Sequence, residues 1–268
     1  GSAPVYNEEK KQWQYINTKG DSVLILQDQS PLFKPLPFYE GVAKVTKNIG
    51  TVEKPMYKHG YIDYQGQKVI DFQYDFASEF HEGLAKIGLK KDKNSWSMKF
   101  GFINLKGEEV IPPIYDEAGY FVEGFCFIAR KGGSTQFQWG VIDKKGRLII
   151  DYQYDYVSNF AEGLATVYKN GKCGYIDAKG EYKLKPIYNW GVNFSDGLAI
   201  VSFDDVCAII NTNGEVMQKL AYKYAFAHAF VNGLAIVRNA ENLYGLINSN
   251  GTEVIKPQFA AMEVCDEK

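Results

Sequence analysis

Apolar and polar positions along this chain alternate in short runs and nowhere settle into a 3.6-residue period. Such runs read as β-strands. Leu164–Val167 and Leu198–Val201 alternate large and small residues, as strands packed in sheets do. Fixed turn signals separate the runs. An aliphatic residue, Asp or Asn, two further residues and Gly recur seven times, with the Asx-to-Gly stretch at 17–20, 63–66, 104–107, 143–146, 177–180, 211–214 and 248–251. An Asx side chain accepts a backbone N–H two residues on, and the glycine supplies the positive φ of a hairpin with a bulge. The flanking runs, such as 60–63 and 67–70, are the two strands of that hairpin. A proline or aromatic residue (Phe72, Pro113, Tyr152, Pro186, Pro257) is expected to end the second strand, since proline cannot donate to a ladder. A compact corner is expected next, at Tyr74-Asp75, Tyr115-Asp116, Tyr154-Asp155 and Tyr188-Asn189.

These signals recur as one unit. Gly60, Gly101, Gly140, Gly174 and Gly245 hold one position, with Gln14 and Ala208 as departures. A second glycine follows an acid at Gly41, Gly83, Gly124, Gly163 and Gly197, and follows Asn232 at Gly233. The two glycines lie 23 residues apart in four consecutive units, while the return distance varies from 11 to 19. A unit is therefore rigid apart from one tolerant loop. A period of this size marks a solenoid, propeller or array. The expected fold is all-β: an open, solenoid-like array of tandem antiparallel hairpin repeats, with six full units and a terminal half acting as a cap. The alternative is a β-propeller. Unit boundaries fall at about 11–58, 59–99, 100–138, 139–172, 173–206, 207–243 and 244–259. Residues 1–10 are read as a lead whose Gly1-Ser2 is a cloning scar, and 260–268 as a polar tail.

Trp139-Gly140-Val141-Ile142-Asp143 and its relatives, joined to the acid-Gly-Leu-Ala pattern, resemble the WG-repeat (KWG-repeat) family of bacterial β-repeats. The resemblance covers residues 11–259. Trp139 keeps the full Trp-Gly form; Trp13, His59, Phe100, Cys173, Cys207 and Tyr244 fill that place elsewhere. The resemblance implies a bacterial protein with a binding or scaffold role, often exported or at the cell surface. It supplies no catalytic residue.

Composition narrows the reading. The 268 residues are 46% hydrophobic and 15% aromatic, enough for a substantial core. A net charge of −2 offers no overall field for nucleic acid, and no run is apolar and long enough to span a membrane as a helix. Cys126, Cys173, Cys207 and Cys265 show no zinc-ligand spacing. Cys173 and Cys207 replace an aromatic residue in successive units and read as buried thiols, so no disulfide is expected. His59, His81 and His228 occupy three different repeat positions, and no nucleophile elbow or phosphate loop occurs. No enzymatic activity, cofactor or metal is expected. The acids before glycine, Glu40, Glu82, Glu123, Glu162 and Asp196, read as turn acceptors for backbone N–H groups.

The tolerant loops should share one face, and the first three are long and rich in lysine. The candidate binding face is Tyr57, Lys58, Lys90, Lys91, Lys93, Trp96, Lys99, Arg130, Lys131 and Phe137, with Trp96 as aromatic anchor. The expected function is a non-catalytic binding module for a protein or a cell-envelope glycan, with carbohydrate binding or an immunity-type blocking role as alternatives. A monomer is expected. Its expected place is the periplasm, cell envelope or exterior, after loss of an N-terminal signal, with the cytoplasm as alternative.

Overall fold

The computed structural model describes residues 2–26, 34–51, 53–92, 97–132, 136–204, 206–220 and 226–263. Every regular element among them is a strand, arranged as one three-stranded and six four-stranded sheets. The chain divides into two compact units, residues 1–130 with 144–146, and residues 131–143 with 147–268.

In the first unit, β1 (Ser2–Asn7), β2 (Gln12–Asn17) and β3 (Ser22–Ile25) form a meander. The next sheet is β4 (Lys34–Tyr39), β5 (Val42–Asn48), β6 (Tyr57–Ile62) and β7 (Lys68–Tyr74). Then come β8 (Phe76–His81), β9 (Leu84–Lys90), β10 (Met98–Asn104) and β11 (Glu109–Tyr115), followed by β12 (Glu117–Ala118) paired with β13 (Phe125–Lys131). In the second unit β14 (Phe137–Asp143) pairs with β15 (Leu148–Tyr154). Three full sheets follow. They are β16 (Tyr156–Ala161), β17 (Leu164–Lys169), β18 (Lys172–Asp177) and β19 (Tyr182–Tyr188); β20 (Trp190–Gly191), β21 (Leu198–Phe203), β22 (Val206–Asn211) and β23 (Val216–Lys219); and β24 (Phe226–Ala227), β25 (Leu234–Arg238), β26 (Tyr244–Asn248) and β27 (Glu253–Phe259).

The Asx turns form as the sequence requires. Asp63 Oδ1 accepts the amides of Gln65 (2.9 Å) and Gln67 (2.8 Å), and Asp177 does the same for Lys179 and Glu181. Three expectations are corrected. The sheet has four strands because the residues after the corner, such as Phe76–His81, form a further strand. The sequence unit straddles two sheets: β6 and β7 close one, and after Asp75 the chain pairs β8 with β9 in the next. The stretch 244–259 is therefore no cap, since β26 and β27 complete the last sheet. The lead is a strand, running from Ser2 opposite Asn17 to Asn7 opposite Gln12. It lacks the Leu-Ala-x-Val pattern, but a ladder requires only backbone groups.

The third correction explains the motif glycine. The prolines and aromatics do not end their strands; they lie in a bulge. Phe100 faces Tyr115 and Phe102 faces Ile111, so three residues of β11, Pro112 and Pro113 among them, span one of β10. The bulged backbone folds over Gly101. At Gly60 and Gly140 an added Cβ would stand 2.6 Å from the carbonyl oxygen of Ile70 or Ile150. Where the glycine is missing, this three-for-one bulge is missing too, and only a one-residue shift remains, at Met217 and at Val23. Ala208 and Ile209 face Lys219 and Gln218 in simple succession, and Gln14 and Tyr15 face Ile25 and Leu24.

The core lies between successive sheets. Val42, Tyr61 and Ile70 of one sheet pack on Phe80, Ala85 and Ile87 of the next, each worth roughly 1.5–3 kcal/mol for a large side chain. Buried tyrosines add a polar tie. Tyr61 donates to the Ser78 carbonyl at 2.6 Å, Tyr15 to Leu36 at 2.7 Å and Tyr175 to Val192 at 2.8 Å.

The acid-glycine pairs are two-residue hairpins with both residues at positive φ, as at Glu82 (53°) and Gly83 (83°). Their carboxylates reach into the following repeat. The amide of Gly83 donates to Glu40 at 2.8 Å, that of Gly124 to Glu82 at 3.0 Å and that of Gly197 to Glu162 at 3.0 Å. Lys144 also pairs with Glu82 at 3.0 Å.

Two tests follow from this geometry. Gly140→Ala drives a Cβ into backbone that cannot move aside, and should cost about 2–3 kcal/mol in urea unfolding. Ala208→Gly, with no three-for-one bulge to accommodate, should cost only about 0.5–1 kcal/mol, the entropy of a strand glycine. Glu82→Asn keeps a residue suited to the turn but cannot reach the Gly124 amide. A loss of about 1 kcal/mol is expected, against almost none for Asp196→Asn.

Candidate functional site

The tolerant loops of the first unit lie at the opposite strand ends from the Asx and acid-glycine turns. There the 49–56 loop and the end of β9 border an open groove of about 660 Å³. Lys54, Pro55, Met56, Tyr57 and Lys58 line it together with Asp75, Lys90 and Asp92. Met56 and Tyr57 are exposed. Asp75 is its electrostatic centre. Lys58 Nζ lies 2.8 Å from Oδ1, and the Lys90 amide donates to Oδ2 at 3.0 Å. Burial pushes the Asp75 carboxyl up, but the hydrogen bonds from Lys58 and Lys90 and their charges outweigh it and hold it below the usual range.

The structure thus brings Tyr57, Lys58 and Lys90 together, but the expected basic edge is corrected to one of mixed charge. Lys58 is largely buried in its ion pair. Lys99 is likewise paired, with Asp116 at 2.7 Å. Both follow a repeat rule: Lys172 donates to Asn189 at 2.7 Å, and in all three pairs the partner lies 17 residues on. These lysines tether the corner. Lys91, Arg130 and Lys131 are exposed. In the second unit Lys131 Nζ stands 5.9 Å from the Phe137 ring centroid, a cation–π contact. Lys93 and the expected anchor Trp96 lie outside the described residues.

Asp75, Lys54, Met56 and Asp92 were missed as site residues. The signal for Asp75 was present in the recurrent Tyr-Asx corner, which reads as a turn until its lysine partner is seen. Lys86 was also passed over. It follows Leu84-Ala85 in the alternating strand, where other repeats place Thr166 or Ile200. Its Nζ donates to the Ala118 carbonyl at 2.7 Å and lies 5.2, 5.3 and 4.9 Å from the rings of Phe76, Phe100 and Tyr120. Burial depresses its pKa. This ammonium fills its own aromatic cage and leaves no room for a ligand cation.

Cys126, Cys173 and Cys207 are buried free thiols, and burial pushes Cys126 and Cys173 up to about 12. Among the described residues no group of three His, Cys, Asp or Glu side chains is placed to hold a metal. His81 lies between Tyr39 and Tyr120, with ring centroids 6.5 and 5.0 Å away. No helix in the described residues is long and apolar enough to cross a membrane.

A family model described as "WG containing repeat" matches residues 60–91, 100–133, 139–173, 174–207, 209–242 and 244–264. Comparison with characterised proteins by sequence gives no match. Among solved structures, a eukaryotic initiation factor is similar over 94% of this chain and 73% of its own, with 10% identity and a TM-score of 0.55. BamB from Moraxella catarrhalis is similar over 91% and 78%, with 14% identity and a TM-score of 0.44. The β-propeller domain of the Trilobed protease from Pyrococcus furiosus is similar over 97% and 81%, with 13% identity and a TM-score of 0.42. The likeness to the initiation factor is one of fold alone.

The groove's neighbour His59 gives a pH test. Its Nδ1 lies 3.0 Å from Thr46 Oγ1, and burial first, then the Lys44 charge, lowers its pKa below the ordinary 6.5. Asp75 acts the other way and Lys58 with Lys44, and burial prevails. The fold therefore holds the neutral ring. Its contribution is present above about pH 6.5 and is lost as pH falls towards the folded value, because the unfolded chain then binds the extra proton. The melting temperature should drop between pH 7.5 and 5.5. His59→Phe, which installs the residue found at Phe100 in the next repeat, should flatten that drop.

Proposed function

Because the chain belongs to the family of WG-containing repeats, we propose that it is a non-catalytic binding module whose ligand site is the loop-end groove of the first unit. The observation that carries this reading is the meeting of exposed Met56 and Tyr57 with Lys54 and Lys90 around the anchored Asp75. Exposed apolar side chains beside a few fixed charges suit an extended, acidic protein segment with one apolar side chain. Trp96, in the stretch of chain that follows Lys90, is proposed as a second aromatic contact. For the arrangement of the sheets, a complete up-and-down meander of four strands favours blades of propeller type over the links of an open array. The proposed setting is the bacterial cell envelope or exterior.

A cell-envelope glycan is the rival ligand, with Tyr57 as the ring on which a sugar would stack. Acidic peptide libraries and glycan arrays, probed in parallel with the soluble protein, separate the two. Retention of acidic peptides should fall as salt rises, since the Debye length is only about 8 Å at physiological ionic strength. Lys54→Ala with Lys90→Ala should weaken retention and flatten its salt dependence. Tyr57→Ala should weaken it about tenfold with the melting temperature unchanged. Retention of glycans alone, insensitive to the lysine variants, would transfer the site to the rival.

A further inference from the structure

At the strand ends away from the groove, three rings of the first unit stand in a row across the successive strands β4, β8 and β12. Tyr39 closes β4 and His81 closes β8, each one residue before its acid-glycine pair, and Tyr120 follows β12. His81 is the middle ring, tilted 34° to Tyr39 at 6.5 Å between centroids and 50° to Tyr120 at 5.0 Å. Tyr39 is 46% and Tyr120 37% exposed, and His81 is half-buried. Single exposed rings scattered over a surface need no explanation, but a contiguous row does.

Carboxylates run beside the rings. Glu40 Oε2 accepts the amide of Gly83, two residues from His81, at 2.8 Å, and Glu82 Oε2 accepts the Gly124 amide at 3.0 Å. Each bond ties the same neighbouring repeats as the ring contact beside it, so the fold fixes rings and acids as one set. Glu40 is exposed and keeps acceptor capacity, since a carboxylate offers about four lone-pair sites. Cations offset much of the local charge: Lys144 pairs with Glu82 at 3.0 Å, and Lys86 Nζ lies 4.9 Å from the Tyr120 ring centroid.

We propose that this row is a second binding site, for a neutral oligosaccharide whose equatorial substituents leave an apolar C–H face. That face lies on the rings of Tyr39 and Tyr120, and sugar hydroxyls donate to Glu40. Charge selects this ligand over others. The phosphates of a nucleic acid, or the acidic segment suited to the groove, meet Glu40 and Glu82 as like charge. A cationic segment is served at Tyr39 and Glu40 but repelled by Lys86 and Lys144 at the other end. A proline-rich segment is neutral, but proline has no N–H, and a carboxylate can only accept. A hydroxyl donates without bringing a charge. The site shares no residue with the groove, so either assignment can fail alone.

Titration calorimetry of the whole chain with chitotetraose and with cellotetraose tests the assignment. At least one should bind, with equal affinity at about 50 and about 500 mM salt, because an uncharged ligand leaves little to screen. Tyr39→Ala should weaken binding about tenfold with the melting temperature unchanged, and Tyr39→Phe, which keeps the ring, should preserve it. Glu40→Gln keeps an acceptor for the Gly83 amide but loses acceptor sites for hydroxyls, and should weaken binding about threefold. Binding of neither sugar overturns the proposal, as does binding indifferent to Tyr39→Ala. Sugar binding that Tyr57→Ala abolishes and Tyr39→Ala spares also overturns it and moves the sugar to the groove. A proline-rich peptide held through Tyr39, with no sugar bound, overturns it and makes the row a peptide site.

Discussion

A carbonyl oxygen 2.6 Å from the place where a side chain would begin leaves no choice of residue at Gly60 or Gly140. The oxygen belongs to the backbone of the neighbouring strand, so it cannot rotate away as a side chain would. Glycine is what lets β7 and β15 fold across β6 and β14, and that crossing shapes each sheet's edge. The bulge takes up the prolines and aromatics that would otherwise interrupt the ladder. It also makes the edge a poor template for another strand. The two substitutions in this series show the dependence in reverse: with Ala208 or Gln14 the partner strand is four residues long and runs without the crossing.

The same constraint accounts for the freedom at the preceding position. Trp13, His59, Phe100, Trp139, Cys173, Cys207 and Tyr244 differ in size and polarity. Their side chains enter space between strands and rings that can be filled in several ways, as Phe100 against Phe76 and Trp139 against Tyr156 illustrate. The glycine answers to rigid backbone and the aromatic position to packing, and packing tolerates substitution of similar bulk. A family named for both residues is therefore held more strictly by the second.

Local chemistry was legible and partnership was not. The Asx turns form as read because donor and acceptor lie within four residues. Sheet membership depends on pairing choices at Asp75 and its equivalents, where strands on both sides of the corner carry the same alternating pattern. Nothing in that pattern says which neighbour each will join. Glu40, Glu82 and Glu162 accept backbone N–H groups, as read, but the amide that Glu82 accepts is 42 residues further on. Lys58 and Lys99 looked like free charge for the same reason, since an acid 17 residues away is invisible until a strand returns to the corner. At the candidate site, sequence identified the loops and their cations but not the carboxylate that organises them.

Variation then falls where these constraints leave room. At one end of the first unit's strands, the Asx turns, the acid-glycine hairpins and the Lys144–Glu82 contact fix the backbone repeat by repeat. At the other end the Lys–Asx tethers hold only the corner, and the loops between β5 and β6 and between β9 and β10 differ in length and composition. A scaffold that fixes one end and frees the other presents variable side chains from rigid strands, the arrangement in which loops carry recognition. Asp75 belongs to both parts. Its carboxylate ties Lys58 and the Lys90 amide, and so sets the floor of the groove with the same interaction that closes the corner. A groove built on such a tether takes its order from the fold, so its shape depends on the strand pairing around Asp75 rather than on any isolated residue.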